Sequence, residues 1–303
     1  MTRLKRTVLP VVIFFCIAVF SLEAFEVSTE FQIGNLGFGK DRKSSADDYP
    51  SQFPWGLSLY GSEEISGDLG VDIGFYFDQT LRNISYTNLR YTQRFFTLGV
   101  GPFFGFFNSS ASILKPGIST SVKLDFPGLI FIKFRADSSI GGRLVQEGDY
   151  LQERSDVIAG FYVLNAIANV SLLTKSYTYR TKEQEIIDSF VEYSFSTDIY
   201  RKNVPFKVLL TFAYQNRGKS YTDISTQDAV VHDLNSLVLG TRIDFTVTPY
   251  LSIMADLDSS IYNWGSAGEA LLTFPTSGID AYLFNATAGV TINIDTLLGR
   301  RGI

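Results

Sequence analysis

Chemistry that depends on an imidazole or a thiolate has two places to occur in this chain of 303 residues, because His232 is its only histidine and Cys16 its only cysteine. Asp233 follows His232, and a carboxylate can orient an imidazole for general-base work. Adjacent residues of an extended segment point apart, however, so the pair reads as two solvated polar side chains in a loop. Asp256 and Asp258 are spaced two apart, which on a strand puts both carboxylates on one face, where they could act as an acid/base pair. The stronger reading is charge balance against Arg242, Lys133 and Arg135. Gly99 and Gly101 flank Val100 as in part of a phosphate loop, but no helix follows to supply amides, and small residues in a curved strand account for them. With one histidine and one cysteine, no metal site or cofactor is implied. The chain is expected not to be an enzyme.

The elements that would carry these residues are strands. Leu69, Val71, Ile73, Phe75 and Phe77 alternate with Gly70, Asp72, Gly74, Tyr76 and Asp78, the period of two of an extended segment with one oily and one polar face. Phe25, Val27, Thr29, Phe31 and Ile33 repeat the pattern, as do Phe206 to Tyr214, Leu237 to Val247, Leu251 to Leu257 and Tyr282 to Ile294. Further strands are predicted over residues 55–59, 96–101, 118–124, 130–136, 162–172 and 187–195, with a tight Pro-Gly turn at 125–128. This makes about twelve, or roughly 23 residues for each strand with its connection. Polar stretches 40–53, 79–94, 217–235 and 260–279 read as long loops, and 139–156 as a connection out of step with the rest. The most apolar stretch, 157–173, includes Asn165 and Asn169 and suits a strand at least as well as a helix.

Residues 1–24 are set apart from the fold. Arg3, Lys5 and Arg6 precede the apolar run 7–20, followed by Ser21 to Ala24, the layout of a cleaved secretory signal peptide. A lipoprotein reading centred on Cys16 is disfavoured by Phe15, which stands where a small residue belongs. Cleavage after Ala24 would leave 279 residues without cysteine, with 23 basic and 30 acidic side chains and a formal charge of −7. Such a chain forms no disulfide and is a poor partner for nucleic acid.

A soluble sandwich would also alternate. Two features favour a closed barrel in a membrane. The polar faces hold charges of both signs, and Asp72, Lys123, Lys133, Arg135, Arg242, Asp244, Asp256 and Asp258 are the residues expected to line a hydrated lumen. The apolar faces tend to end in aromatics: Phe206 and Tyr214 are eight residues apart, ~21 Å of height on a strand tilted by ~40°, close to the ~25 Å apolar band of a membrane barrel.

The signal peptide, the repeated alternating strands of about ten residues and the absence of cysteine after cleavage resemble the bacterial outer-membrane β-barrel proteins. Phe25 to Phe38, with Gly34-Asn35-Leu36-Gly37, is also similar to the start of poorly characterised spirochaete outer-membrane proteins. The resemblance implies an all-β transmembrane antiparallel up-and-down barrel over residues 25–295, with ten to fourteen strands and a short tail, 296–303. It places the chain in the outer membrane of a diderm bacterium, in contact with lipid and, during biogenesis, with the outer-membrane assembly machinery. Such barrels commonly finish on an aromatic residue that this machinery reads, a pattern from which 295–303 departs. The function expected first is a narrow passive channel for small solutes. The alternatives are a closed barrel whose long outer loops bind host surface ligands, and an exported soluble β-protein. Loops 40–53, 217–235 and 260–279 are expected outside the cell, and turns 63–68 and 248–250 in the periplasm.

Overall fold

The computed structural model describes residues 25–34, 55–78, 82–108, 112–140, 149–200, 204–265, 270–272 and 284–297. The expected signal segment, Cys16 and the connection 40–53 lie outside the described residues. The strands are β1 (Phe25–Gly34), β2 (Trp55–Ser66), β3 (Leu69–Asp78), β4 (Arg82–Gln93), β5 (Phe96–Asn108), β6 (Ser112–Phe126), β7 (Ile130–Ser139), β8 (Asp149–Val163), β9 (Ala166–Arg180), β10 (Gln184–Tyr200), β11 (Phe206–Asp223), β12 (Ala229–Thr248), β13 (Leu251–Gly265), β14 (Ala270–Leu272) and β15 (Phe284–Asn293). One helical turn, α1 (Ile294–Leu297), follows.

Each strand from β1 to β13 pairs antiparallel with the next, β13 pairs with β15, and β15 returns to β1, so the sheet closes on itself. The three-residue β14 only extends one end of β13. The ring therefore has fourteen strands, inside the expected range and two more than the alternation reveals. The two are β4, inside the stretch expected to be loop 79–94, and β8, which begins inside 139–156. Stretch 157–173 is the end of β8 and the start of β9, joined by the turn at Leu164 and Asn165. The loop expected over 217–235 shrinks to 224–228, because β11 and β12 stay paired from Phe206↔Phe245 to Thr222↔Ala229. His232 thus stands on β12, opposite Lys219, and not in a loop. Likewise β13 continues to Gly265, into the stretch expected to be loop 260–279.

The register fixes the shape. Followed strand by strand, the row through Glu26, Ser62, Asp72 and Asn88 passes Ser119, Asp137, Arg154, Lys175, Phe190, Arg217 and Leu234 to reach Gly265 of β13. In the other direction Val27 leads through Ile292 to Leu251, so Glu26 falls level with Tyr250. The offset on β13 is 15 residues, or 14 once the bulge after Leu237 is discounted. A shear of 14 on fourteen strands means strands tilted by ~37° around a Cα wall of radius ~12 Å.

Burial is the reverse of that in a soluble protein. Phe206, Leu210, Phe212, Leu239, Ile243, Ile253, Leu257 and Phe195 are all between 44% and 51% exposed, while Asn88, Ser119, Asp137, Gln152, Gln215 and Ser236 are at most 5% exposed. The oily face points out and the polar face in. Aromatic pairs edge the oily belt: Phe95 stacks on Phe126 with Arg94 over the Phe95 ring at one rim, and Phe31 with Trp55, Tyr193 with Tyr214, and Tyr214 with Trp264 lie towards the other. Among the described residues no helix is long and apolar enough to cross a membrane; the strands make the crossing.

Five short connections, at 67–68, 94–95, 127–129, 164–165 and 249–250, lie at the rim where β1 begins and β15 ends, and so do the end of β10 and the start of β11. At 127–129 the Pro-Gly turn expected from sequence is closed by the Leu129 N–H donating to the Phe126 carbonyl at 3.0 Å, with Gly128 at φ 78°, a value that suits glycine at the third position of a type II turn. The opposite rim carries the ends that 35–54, 224–228 and 266–283 connect. The two groups of connections expected on opposite sides of the membrane thus belong to opposite rims.

Leu210, midway along the apolar outer run from Phe206 to Tyr214 of β11, should resist a charge most. Leu210→Arg is expected to destabilise the barrel in lipid vesicles by ~2 to 4 kcal/mol and Phe206→Arg, at the belt's edge, by ~1 kcal/mol or less. Reversible denaturant unfolding followed by tryptophan fluorescence checks the gradient; equal costs at the two positions would contradict the belt.

Candidate functional site: the charged lumen wall

Because paired residues share a face, the register alone places the lining. Asp72 is opposite Ser62 and Asn88, Lys123 opposite Lys133, Arg135 opposite Ser121 and Asp156, Arg242 opposite Asp256, Asp244 opposite Lys207 and Met254, and Asp258 opposite Gly240 and Asn285. All eight stand on the face away from the oily belt. They form two groups and not one.

The first group is built on β2 to β8. Asp137 is 3% exposed and accepts from the Ser119 hydroxyl at 2.5 Å and from the Arg135 guanidinium at 3.0 Å and 3.3 Å. Asn88 donates to Ser119 at 3.1 Å, extending the chain to β4. Arg90 reaches Ser62 at 3.3 Å and lies 3.6 Å from Asp72, which accepts from Ser62 at 2.8 Å. Arg135 is held on its other side by aromatic contact, its guanidinium 4.1 Å from the Tyr86 ring centroid. That ring lies flat over Gly74, where any Cβ would collide with it. Glycine at 74 is thus what lets a tyrosine lie against the wall and support an arginine, a cation–π contact worth ~1 to 2 kcal/mol when partly desolvated. Phe131 lies over Gly160 in the same way, with a Cβ there only 2.5 Å from its ring, and Lys133 sits 5.2 Å over the Phe131 centroid. Nearer the rim of short turns, Lys123 pairs with Asp125 at 2.5 Å and Tyr162 donates to Asp125 at 2.8 Å.

The second group spans β10 to β15 and β1. Arg242 donates to Asp244 at 2.9 Å and stands beside Asp256 in the register. Glu30, Asp198, Asp244 and Asp256 all interact electrostatically with Arg242. Gln215 donates to Glu192 at 2.6 Å. Asp256 and Asp258 therefore share a face as the spacing predicts, with Arg242 beside Asp256 and the other two cations expected to balance them standing across the ring of strands on β7. Lys133 and Arg135 belong to the other group, with Asp125, Asp137 and Asp156.

Sorted by strand, the inward side chains of β4 to β9 include Arg90, Lys115, Lys123, Lys133, Arg135, Arg154 and Lys175 against Asp125, Asp137 and Asp156. Those of β10 to β15 and β1 to β3 include Lys207 and Arg242 against Glu26, Glu30, Asp72, Glu192, Asp198, Asp244, Asp256 and Asp258. Among the described side chains, one wall of the lumen is cationic and the facing wall anionic. Two cavities open between the strands on the inner side: one of about 230 Å³ among Tyr60, Asp72, Tyr86, Asn88, Ser121 and Arg135, the other of about 250 Å³ among Glu30, Lys207, Arg242, Asp244, Ser252 and Thr291. Among the described residues no three of His, Cys, Asp and Glu converge to hold a metal ion.

Sequence reading missed Arg90, Arg154 and Asp156 because their strands were read as connections. It passed over Glu30, Asp198 and Lys207, although each stands in an alternating run that could have flagged it.

No known protein family matches the sequence, and no characterised protein resembles it closely enough in sequence to be matched. Among solved structures, a loop-deletion form of the Vibrio cholerae outer-membrane protein OmpT aligns at 11% identity over 89% of this chain and 97% of that one, with TM-score 0.41. A bacterial polysaccharide outer-membrane secretin aligns at 10% identity over 89% and 98%, TM-score 0.45. An anion-selective porin from Comamonas acidovorans aligns at 10% identity over 89% and 98%, TM-score 0.34. The chain's own architecture, a closed antiparallel sheet with an oily exterior and a charged interior, is that of the bacterial outer-membrane β-barrels.

Removing the Asp137 carboxylate leaves Ser119 and Arg135 without their acceptor. Asp137→Ala is expected to cost ~1 to 3 kcal/mol, read as a lower denaturant midpoint at unchanged slope. At the tip of β11 the Asp223 carboxylate accepts from the Ser225 hydroxyl and from the Ser225 and Thr226 amides, which hold its pKa below the ordinary aspartate value. A lowered folded-state pKa favours the ordered tip above that ordinary value, and the advantage disappears as pH falls through the depressed pKa. Amide exchange at Ser225 and Thr226, corrected for intrinsic rates, should accelerate only in that acid range, and should be fast at all pH values in Asp223→Ala.

Proposed function

We propose that the chain is a narrow, passive, non-enzymatic channel of a diderm outer membrane, admitting small polar solutes along the charged lumen. The observation that carries this reading is the inverted burial: a sheet closed by fourteen tilted strands turns its apolar side chains outward, as a lipid-embedded wall does, and spends its charges on a lining that water or one another must satisfy. A wall of this radius lies between the side-chain-filled eight-stranded barrels and the open sixteen-stranded ones, so a restricted passage is physically reasonable.

A second reading, a closed barrel that binds ligands at the cell surface, is favoured by a different observation. From β9 to β12 the strands are 15, 17, 18 and 20 residues long against 10 for β1, β3, β7 and β15, so one side of the rim opposite the short turns stands well above the belt. Reconstitution separates the two. The mature chain, refolded in detergent as a heat-modifiable species and inserted into planar bilayers, should conduct, and Arg135→Glu and Arg242→Glu should each shift the reversal potential in a salt gradient towards cation selectivity. Correctly folded protein that never conducts would remove the channel and leave the surface-binding reading.

A further inference from the structure

The separation of charge around the lumen points beyond a general solute pore. Within the described side chains the lining has nearly as many cations as anions, so a monovalent ion of either sign gains little from the total. The arrangement is another matter. Lys133, Arg135 and Arg154 belong to β7 and β8, whereas Glu30, Asp244 and Asp256 belong to β1, β12 and β13, about half the circumference away. Such opposed walls set up a field directed across the passage and not along it, and the low-dielectric sheet behind each wall strengthens it.

A field across the passage acts on a dipole whose ends can face both walls at once. We infer that the preferred solutes are small zwitterions with a separated ammonium and carboxylate, the class of free amino acids and short peptides, which pass with the ammonium turned to Glu30, Asp244 and Asp256 and the carboxylate turned to Lys133, Arg135 and Arg154. The inference rests on the channel reading above. Arg135 with Asp137, Arg154 with Asp156 and Arg242 with Asp244 are paired within their own wall, so the field comes from the excess of cations over anions among the described side chains of one wall and of anions over cations among those of the other. What remains uncompensated has opposite sign on the two sides. A neutral solute of the same size gains nothing from this arrangement, and a solute carrying a single charge is attracted by one wall and repelled by the other.

The test is the rate of proteoliposome swelling with solutes of similar size and different charge layout: glycylglycine as the zwitterion, N-acetylglycinamide as the neutral compound, glycinamide and N-acetylglycine as the two monopoles. The full mature chain is expected to admit glycylglycine several-fold faster than N-acetylglycinamide. Asp244→Asn with Asp256→Asn, which removes two anions from one wall, should lower that ratio towards one, and Lys133→Gln with Arg154→Gln, which removes two cations from the facing wall, should do the same. Heat-modifiable mobility establishes folding of each variant, and the two doubles lie on different strands, so failure of one to fold leaves the other to decide. Equal rates for glycylglycine and N-acetylglycinamide in the unaltered chain, or a ratio that neither double variant lowers, would overturn the inference while leaving the channel intact. If none of the four solutes enters, the channel reading fails and this inference with it.

Discussion

A chain that crosses hydrocarbon can leave no backbone N–H or C=O unpaired, since each such group costs several kcal/mol where there is no water to take it. A sheet meets this requirement only if it has no edge. Here the requirement falls on the pairing of β15 with both β13 and β1. Every other property of the barrel follows from that closure: closing fourteen strands with a stagger of fourteen residues sets the tilt and the bore, and these decide how far apart the two sides of the lumen lie.

Once the sheet is closed, its inner face must be made compatible with charge. The wall around Arg135 achieves this with small residues as much as with counter-ions. Gly74 makes room for Tyr86, Tyr86 carries one face of the guanidinium, and Asp137, itself fixed by Ser119, carries the other edge. Each member is held by a neighbour on a different strand, so the arginine's position is set by the register of the sheet and not by its own rotamer preferences. Arg242 has no such aromatic support among its described contacts, and its place is set by the carboxylates around it.

How much of this is legible in the sequence depends on where a strand lies relative to the belt. β3, and β11 from Phe206 to Tyr214, carry a continuous apolar outer face because that length of each faces the belt, and there the period of two is plain. In β4 the outward Ser85 and Thr87 interrupt the apolar face while Tyr86 and Ile84 make the inner one less polar, so the contrast between faces vanishes and the strand reads as loop. The upper parts of β8, β11 and β12 stand above the belt, where the outer face has no reason to be apolar, and the pattern stops although the strand does not. The face on which Asp72, Arg135 and Arg242 stand could be read for the same reason that the long strands could not: alternation reports the environment of a strand and says nothing of its extent. Which charges share a wall was not legible at all, because that depends on strand order around the ring and on two strands that the pattern hides.

The bond from the Thr291 hydroxyl to Ser28 joins residues 263 apart in the chain, while neighbouring hairpins such as β6 and β7 meet across a three-residue turn. Loop-closure entropy makes the hairpins fast and local and the seam slow and distant. A nascent barrel can therefore hold nearly all of its ladder and still carry two raw edges, β1 and β15, each open to a wrong partner. The seam is the step at which a foreign strand or a second nascent chain competes most effectively, and the interval before it closes is when the protein most needs an escort.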